Sequence, residues 1–328
     1  MSKVLITGAT GLLGANLTRE LYRLGHDIRL LVRPTANLRL LDDIPAEIFH
    51  GDVQHEAAVN LAVSGCEYVV HAASITDQWG ITFDDYERVN YTGTVLIADA
   101  CRRHNVRKLI YVSTANTLGP GSKTEPGNEL AGFSLFGAGS GYINSKYLAQ
   151  QYVLEQVEKH GLPAVVVNPT FIIGPHDARP SSGKLLLHGI NSRWVWCPPG
   201  GKNFVHVGDV CRGIALAMEK GKPGNCYLLA GENLSYREFF RIVSRTVSRK
   251  RMLLTIPGWI LKAGGLAGSL AGKLTGRRPK LNYTTAWLLC LENYYTGRKS
   301  ERELGMRYVS TETAVIDACA WLKENDYF

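Results

Sequence analysis

The sequence predicts an α/β fold built on a doubly wound parallel sheet, with a smaller, mixed C-terminal lobe. Six short runs typical of strands recur over roughly the first 170 residues, and the first of them, residues 4–6, is apolar without polar alternation, as expected for a central strand of a parallel sheet. Helical patterns separate these runs, and this alternation specifies parallel strands joined by crossover helices. The first run leads directly into a glycine-rich turn and a helix, which is the arrangement of a dinucleotide-binding unit.

The strand pattern also predicts how the chain is divided. The six strands are expected at residues 4–6, 27–32, 47–50, 68–70, 108–112 and 164–167. Beyond residue 175 the pattern becomes irregular, although 204–210 predicts a short strand and a helix start, and 226–229 is strand-like. We therefore expect a dinucleotide-binding domain over residues 1–175 and a substrate-binding lobe over 176–328, with 204–231 returning to the first domain.

Two segments of the C-terminal lobe carry a local pattern. Ser235, followed by Glu238 three residues later, predicts a capped helix start. Residues 252–274 are rich in leucine and glycine, but Pro257 and two lysines interrupt the run. This segment therefore predicts a helical lobe that covers an apolar pocket and not an integral membrane span.

Composition and charge narrow the class of protein. The chain has 37 basic and 29 acidic residues, a net charge of +8, which would suit nucleic acid, a membrane surface or an anionic small molecule. The basic clusters are short and are not interleaved with aromatic residues, so nucleic acid is disfavoured and a phosphate-bearing cofactor is the simpler use. Seven scattered cysteines without a Cys-x-x-Cys motif predict reduced thiols, no disulfide framework and no metal site. No targeting segment is expected, and the expected location is cytoplasmic.

The turn after the first strand is the candidate phosphate site. Three glycines stand where a tight turn, the close approach of a pyrophosphate and the packing of helix on strand each require one. Free N–H groups at the helix start would hold the phosphates. The cofactor contacts expected here are Gly8, Thr10, Gly11, Leu12, Leu13 and Gly14.

The ends of the next strands supply further candidates. Arg33 ends the second strand, where an arginine suits a 2′-phosphate and an acidic residue would bind a ribose 2′-hydroxyl. This favours NADP over NAD, unless Arg33 only stacks over the adenine. Asp52, with Val53, follows the third strand and could reach the adenine amino group. After the fourth strand, the small residues Ala72, Ala73 and Ser74 would let a cofactor pass closely, whereas His71 beside them is expected to be structural.

Tyr142 and Lys146 form the candidate proton-handling pair. They lie four residues apart at the start of a long helical pattern, so they share one helix face. A nearby cation favours the phenolate, and such a pair could give or take a proton near neutral pH. The spacing alone is common by chance. The hydroxyls of Ser113 and Thr114, at the end of the fifth strand, lie where ligands bind in an open α/β sheet.

Seven motifs together resemble the extended short-chain dehydrogenase/reductase superfamily, which implies a Rossmann fold and a nicotinamide cofactor. They are TGATGLLG from Thr7, GDV from Gly51, HAAS from His71, STANTLG from Ser113, YINSK from Tyr142, NPTFIIGP from Asn168 and FVHVGDV from Phe204. The sequence looks most like the dihydroflavonol-reductase-like and 3β-hydroxysteroid-dehydrogenase-like branch, close to the sugar-nucleotide epimerases.

The resemblance assigns roles to individual residues. Tyr142 would be the proton donor and acceptor, and Lys146 would hold the nicotinamide ribose and bias the phenol. Thr114 would be the third catalytic hydroxyl, with Ser113 as the alternative. Further cofactor contacts implied by the resemblance are Asn90, Ser113, Pro169, Thr170 and Ile172.

Two enzymatic functions and one non-enzymatic function fit this resemblance. The first is an NADP(H)-dependent oxidoreductase that acts on a ketone or secondary alcohol of a largely apolar small molecule. The second is a nucleotide-sugar epimerase or dehydratase; those relatives tend to carry an arginine where this chain has Lys202, which weakens that interpretation. The third, a cofactor-binding sensor, is disfavoured by the intact Thr114, Tyr142 and Lys146 set. Candidate substrate contacts are Asp77, Trp79, Asn116, Trp194 and Lys202.

A homodimer is also expected from the resemblance. The helices near residues 92–104 and 142–159 commonly form a four-helix interface in this superfamily. Their outward faces are expected to carry Tyr91, Ile97, Tyr147 and Val153. Core packing within one chain would explain some of these apolar positions equally well.

Overall fold

The computed structural model describes residues 2–76, 80–136, 139–275 and 281–328. Asp77 and Trp79, two of the candidate substrate contacts, lie outside the described residues.

Strands and helices alternate through the first half of the chain, and all six predicted strands are present. The elements are β1 (Lys3–Thr7), α1 (Leu12–Arg23), β2 (Asp27–Val32), β3 (Glu47–His50), α2 (Glu56–Val63), β4 (Tyr68–His71), α3 (Phe83–Tyr86), α4 (Gly93–Arg103), β5 (Lys108–Val112), α5 (Gly141–His160) and β6 (Ala164–Pro169). A π-helical turn, Glu87–Thr92, joins α3 to α4. Short 3₁₀ turns lie at Arg39–Leu41 and Ala115–Thr117.

The second half of the chain has shorter strands and more irregular order. Its elements are β7 (Phe171–Ile173), α6 (Gly183–Asn191), β8 (Trp194–Cys197), β9 (Gly201–His206), α7 (Val207–Lys220), β10 (Cys226–Leu229), β11 (Glu232–Ser235), α8 (Tyr236–Thr246), β12 (Met252–Thr255), α9 (Gly258–Thr275), α10 (Tyr283–Cys290), β13 (Glu292–Asn293), α11 (Arg298–Leu304) and α12 (Thr311–Glu324). The prediction of a helical segment over 252–274 is wrong for its first four residues, because these residues form β12, which pairs with β8.

Seven parallel strands form the central sheet in the order β10-β6-β5-β4-β1-β2-β3, which confirms the predicted doubly wound fold. The chain moves outward from β1 through β2 to β3 and then returns to pair β4 on the other side of β1. The reversal places a crevice between the carboxyl ends of β1 and β4, where ligands bind in such sheets. Helices α1 and α7 cover one face of the sheet, and α2, α4 and α5 cover the other.

The remaining elements build a mixed lobe beside the sheet. A four-stranded sheet contains β7, β9, β11 and β13, and β8 pairs with β12 in a two-stranded ribbon. The lobe core includes Phe204 and Phe239, whose rings stack at 4.3 Å. Ser235 and Glu238 form the predicted capping box at the start of α8. In the described residues, no helix is both long and apolar enough to cross a membrane.

The expected outward faces of α4 and α5 require a correction. Ile97 and Val153 have no exposed surface, because both pack against the sheet. The other two residues also have partners within the chain: Tyr91 meets the ring of Tyr152 edge-on, and the ring of Tyr147 stacks on that of Phe133 at 4.1 Å. The homodimer stays a prediction.

Candidate active site

The turn after β1 can exist only with glycine at its first position. Gly8 has a φ of +76°, in the left-handed region. A Cβ at Gly8 would lie 2.7 Å from the amide nitrogen of Ala73 and 2.8 Å from the carbonyl oxygen of Ala72. A Cβ at Gly14 would lie 2.1 Å from the carbonyl oxygen of Gly8. Gly8 thus lets the loop after β4 approach the turn, and Gly14 lets α1 pack on it.

The start of α1 fits a pyrophosphate. Gly11 is the N-cap, and neither a side-chain cap nor an acidic residue occupies the first turn. The amides of Leu12 and Leu13 therefore have no acceptor within the helix. A Cβ built at Gly11 would have one neighbour within 4 Å, the carbonyl oxygen of Gly8 at 3.5 Å, so Gly11 leaves open space at the start of the helix. Thr10, next to it, is exposed. Amide donors with a positive helix end suit an anionic group.

The ends of β2 and β3 border the same crevice. Arg33 is exposed just after β2, and no ion pair of its guanidinium is found among the described residues. Asp52 is half-buried, and its Oδ1 accepts hydrogen bonds from the backbone and side chain of Gln54 at 3.0 and 3.1 Å. Val53 is buried against Gly93 at the start of α4. Arg33 is thus available for a ligand, whereas Val53 supports the helix behind the site.

Asn90 is buried and fixes the position of the loop after β4. It has no exposed surface. Its Oδ1 accepts hydrogen bonds from the amide of Ile75 at 2.8 Å and from the hydroxyl of Ser74 at 3.0 Å. Its Nδ2 donates to the Ile75 carbonyl and to the Ser145 hydroxyl on α5. These bonds position the loop after β4, and the cofactor contact expected of Asn90 stays a prediction.

His71 is part of a buried hydrogen-bonded chain beneath the site. Its Nδ1 lies 2.7 Å from the Thr7 hydroxyl, and its Nε2 lies 3.0 Å from the Thr94 hydroxyl. The Thr7 hydroxyl accepts a hydrogen bond from the amide of Ala73, so this chain links the ends of β1 and β4. Burial, followed by the charge of Lys146, lowers the pKa of His71 to about 3. The imidazole is neutral and structural, as expected.

Tyr142 and Thr114 meet across the gap between α5 and the end of β5. Burial raises the pKa of Tyr142 to about 12, while a hydrogen bond with the Thr114 side chain acts in the opposite direction. Lys146 lies one turn along α5, and its Nζ donates to the carbonyl of Val112 at 2.7 Å. The expectation that Lys146 lowers the Tyr142 pKa is therefore not met in this arrangement, because the ammonium is directed at the strand. Burial lowers the pKa of Lys146 itself to about 7.

Asn168 and Gln150, which sequence reasoning missed, hold Thr114 in place. Asn168 has no exposed surface, and its Nδ2 donates to the carbonyl of Thr114 at 3.1 Å and to Oε1 of Gln150 at 2.8 Å. The Thr117 hydroxyl donates to the same Thr114 carbonyl at 2.8 Å. Gln150 follows Lys146 by four residues, so the spacing that indicated the Tyr142 face of α5 could also have indicated this residue.

A small cleft opens beside Thr114. It has a volume of about 50 Å³ and is lined by Thr114, Ala115, Asn116, Thr170, Phe171, Lys202, Asn203, Asn293 and Tyr295. Lys202 contributes the cation, its Nζ 5.2 Å from the centre of the Phe171 ring, and burial lowers the Lys202 pKa to about 8. The amides of Asn293 and Asn116 meet at 3.1 Å, which joins β13 to the turn after β5. The asparagines, threonines and lysine of this lining suit a polar group of a substrate.

The other candidates lie at varying distances from this centre. Pro169 is buried at the end of β6, and the Thr170 hydroxyl donates to Asn203 at the cleft wall. Ser113 is buried, with its hydroxyl 3.5 Å from that of Thr117. Ile172 packs against the core on the α1 side of the sheet. Trp194 does not line the cleft: β8 directs it outward, so its predicted substrate role is not supported.

A parallel sheet with a glycine turn at its reversal point is the architecture of a dinucleotide-binding fold, and the relatives of the chain identify it as an NAD(P)-dependent oxidoreductase of the extended short-chain dehydrogenase/reductase type. The chain belongs to the NAD dependent epimerase/dehydratase family, whose sequence model matches residues 4–230.

Several curated proteins resemble the chain over nearly its whole length. Sterol demethylase protein B of Methylococcus capsulatus is 31% identical over 323 residues, covering 98% of each chain. A putative dihydroflavonol 4-reductase of Synechocystis is 28% identical, covering 98% of this chain and 95% of the relative. The 4-hydroxy-2-methyl-3-oxo-4-farnesyl-3,4-dihydroquinoline-1-oxide ketoreductase of Stigmatella aurantiaca is 30% identical, covering 96% of this chain and 95% of the relative.

Solved structures show the same fold. The crystal structure of gox2253 superposes with a TM-score of 0.89 at 31% identity and covers 99% of both chains. A nucleoside-diphosphate-sugar epimerase from Pseudomonas aeruginosa superposes with a TM-score of 0.79 at 24% identity, covering 100% of this chain and 99% of the other. At that identity, the second likeness bears on the fold alone.

Proposed function

We propose that the protein is an NADP(H)-dependent oxidoreductase that interconverts a ketone and a secondary alcohol of a largely apolar small molecule. The observation that carries the proposal is the pairing of Tyr142 with Thr114 at the edge of a polar cleft. Two neighbouring hydroxyls would both donate to one carbonyl oxygen, as general acid catalysis of its reduction requires. When bound, the nicotinamide would supply or accept the hydride.

The protonation states favour Tyr142 as the acid of the reduction. Because burial raises its pKa to about 12, the phenol carries its proton at neutral pH and can give it to a developing alkoxide. Thr114 would donate a second hydrogen bond to the same oxygen. Lys146 would hold the ribose of the cofactor, and its contact with Val112 fixes α5 against β5. In the alcohol-oxidising direction, Tyr142 would have to lose its proton first.

The cleft suggests what the substrate carries near its reacting carbon. Lys202 and the surrounding amides would bind a carboxylate or another polar acceptor of the substrate. The names of two relatives describe lipophilic substrates: the Stigmatella aurantiaca enzyme is named for a farnesyl-bearing quinoline ketone, and a 3-beta-hydroxysteroid dehydrogenase of Mycolicibacterium neoaurum, 25% identical and covering 97% of this chain and 90% of the relative, is named for a steroid. These names support a substrate whose polar end enters the cleft while its apolar part lies outside.

The preference for NADP(H) is proposed from Arg33. Its guanidinium is exposed at the end of β2, close in sequence to a second exposed arginine, Arg39. A guanidinium can bind the 2′-phosphate bidentately, and no acidic residue follows β2 directly to bind a free 2′-hydroxyl.

Cofactor consumption tests the proposal against the epimerase alternative. We expect the purified protein to oxidise NADPH steadily with lipophilic ketones and to leave nucleotide sugars unchanged. Tyr142→Phe should bind NADPH as tightly as the native protein but lose turnover by about 10²- to 10⁴-fold. Tyr147→Phe is the matched control, because that ring stacks on Phe133 beside the site. Conversion of a nucleotide sugar without net cofactor change would overturn the proposal, as would retained turnover in Tyr142→Phe.

A further inference from the structure

Helix α9 turns its large apolar residues away from the protein. Leu261 and Gly265 are buried, and a Cβ at Gly265 would lie 2.6 Å from the Cβ of Ala286 on α10. The small residue at this contact lets the two helices approach closely. The exposed side of α9 carries Trp259, Leu266, Leu270 and Leu274, and Trp259 and Leu274 are 73% and 87% exposed. A helix at an ordinary water-facing surface has the reverse distribution.

The β8–β12 ribbon likewise exposes large apolar side chains. Val195 and Cys197 have no exposed surface and fill the lobe core, so strand alternation directs Trp194 and Trp196 outward. Met252 pairs in register with Trp194, which places this exposed side chain on the same outer face. Only two residues separate β12 from α9, and Gly258 at the start of α9 lies against Pro199, just beyond β8. The ribbon and the start of α9 are therefore adjacent in the structure.

The positive charge of the protein is concentrated in the same part of the chain. Residues 239–291 contain ten lysines and arginines and no acidic residue. The rest of the chain then holds 27 basic and 29 acidic residues, so this segment accounts for the whole net charge of +8. Arg193 and Lys250, which lie just before the two ribbon strands, are exposed and have no acidic partner within the described residues.

We propose that the outer faces of α9 and the β8–β12 ribbon form a docking surface for an anionic lipid bilayer. Exposed tryptophan and leucine can enter the region between lipid headgroups and acyl chains, while lysine and arginine at the rim bind the headgroups. The charge argues against a second copy as the occupant: a two-fold interface would bring two cationic rims together. The apolar residues argue against nucleic acid, which would not bury leucines.

Flotation with lipid vesicles tests this proposal. We expect the full chain to float with vesicles of equal parts phosphatidylcholine and phosphatidylglycerol, and not with phosphatidylcholine alone. Trp259→Ser and Leu270→Ser should each weaken binding by about tenfold or more, because each removes a large apolar side chain from the lipid contact. Arg193→Gln and Lys250→Gln should each weaken it by about fivefold, and added salt should weaken it further.

Matched controls separate this surface from general effects. Leu61→Ser removes an apolar side chain that is 65% exposed on α2, and Lys220→Gln removes an exposed cation at the end of α7. Both should float like the native protein. Equal binding to neutral and anionic vesicles, or unchanged binding by the surface variants, would overturn the proposal. A dimer in solution that Leu270→Ser converts to a monomer would also overturn it, because a second copy would then cover this face.

Discussion

The ammonium of Lys146 donates a hydrogen bond to the backbone carbonyl of Val112, 2.7 Å away. Val112 is the last residue of β5, two positions before Thr114, and Lys146 lies one helical turn after Tyr142. The contact therefore sets the spacing between the helix that carries the phenol and the strand end that carries the threonine. The Nζ also lies 4.3 Å from the centre of the Tyr111 ring, and the side chain is only 2% exposed.

Lys146→Met should change stability in a way that depends on pH. Burial lowers the pKa of Lys146 from 10.5 to about 7, so between these values the unfolded chain binds a proton that the folded chain does not. The stability of the native protein should therefore rise with pH from about 7 to 10.5. Below pH 7 the folded protein carries the buried charge, which costs at most about 5 kcal/mol of stability. In urea unfolding, the free energy of unfolding of the variant minus that of the native protein should be most favourable to the variant below pH 7. A difference that is constant with pH would contradict this.

Two substitutions at Thr114 should have different effects on turnover. Thr114→Ser keeps a hydroxyl and should retain most activity, whereas Thr114→Ala should lose about 10²-fold in kcat, as when one oxyanion donor is removed. Ser113→Ala is the control and should stay active, because the Ser113 hydroxyl lies 3.5 Å from that of Thr117, whereas the side chain that interacts with Tyr142 is that of Thr114. If Ser113→Ala proved to be the more damaging change, the catalytic hydroxyl would be Ser113.

The two directions of the reaction should respond differently to pH. The phenol of Tyr142, with a pKa raised to about 12, is protonated throughout the neutral range. We expect kcat/KM for ketone reduction to be nearly flat there and kcat/KM for alcohol oxidation to rise with pH. Thr114→Ala removes the hydrogen bond that lowers this pKa, so it should move the oxidative profile to higher pH. Identical profiles in both directions would show that another group supplies the proton.

Arg33→Ser should separate the two cofactors. Loss of a charged hydrogen-bonding partner of the 2′-phosphate should raise the Kd for NADPH by about 10- to 100-fold, with little change for NADH. Fluorescence titration of both cofactors measures this. Arg23→Ser is the control, because that exposed arginine is paired with Glu20 on α1. Equal weakening of both cofactors would mean that Arg33 stacks over the adenine.

Lys202→Met should discriminate between charged and uncharged substrates. For a hydroxy acid or keto acid, loss of the cation should raise KM by about 10- to 100-fold, whereas the uncharged analogue should be little affected. Because burial lowers the Lys202 pKa to about 8, the native KM for the acid should also rise as the pH passes this value and the ammonium loses its proton. Lys202→Arg should restore part of the affinity. An equal rise of KM for both substrates would indicate a packing role.

Local patterns predicted the sheet, the glycine turn and the capped start of α8, because each depends on residues close together in the chain. The cleft was only partly predictable: Asn116 and Lys202 were identified, whereas Asn293 and Tyr295 come from β13 and the segment after it, far along the chain. Trp194 shows a second limit. Alternation in Trp-Val-Trp-Cys predicts two opposite faces, but only the tertiary structure shows that Val195 and Cys197 take the inner face. The direction of Lys146 toward Val112 likewise depends on the packing of α5 on β5.

The π-helical turn Glu87–Thr92 allows a single helical segment to satisfy two separate requirements. Asn90, before α4, must face the loop after β4, and Ile97, within α4, must face the sheet. Successive side chains of an α-helix are about 100° apart around the helix axis, so deleting one residue from this turn would rotate α4 by about 100° relative to Asn90. A regular helix that is one residue shorter could keep either the packing of Ile97 on the sheet or the hydrogen bonds of Asn90 to the loop, but not both. Because of this one irregular turn, the direction of Asn90 toward the loop and the direction of Ile97 toward the core do not have to follow the regular spacing of a single α-helix.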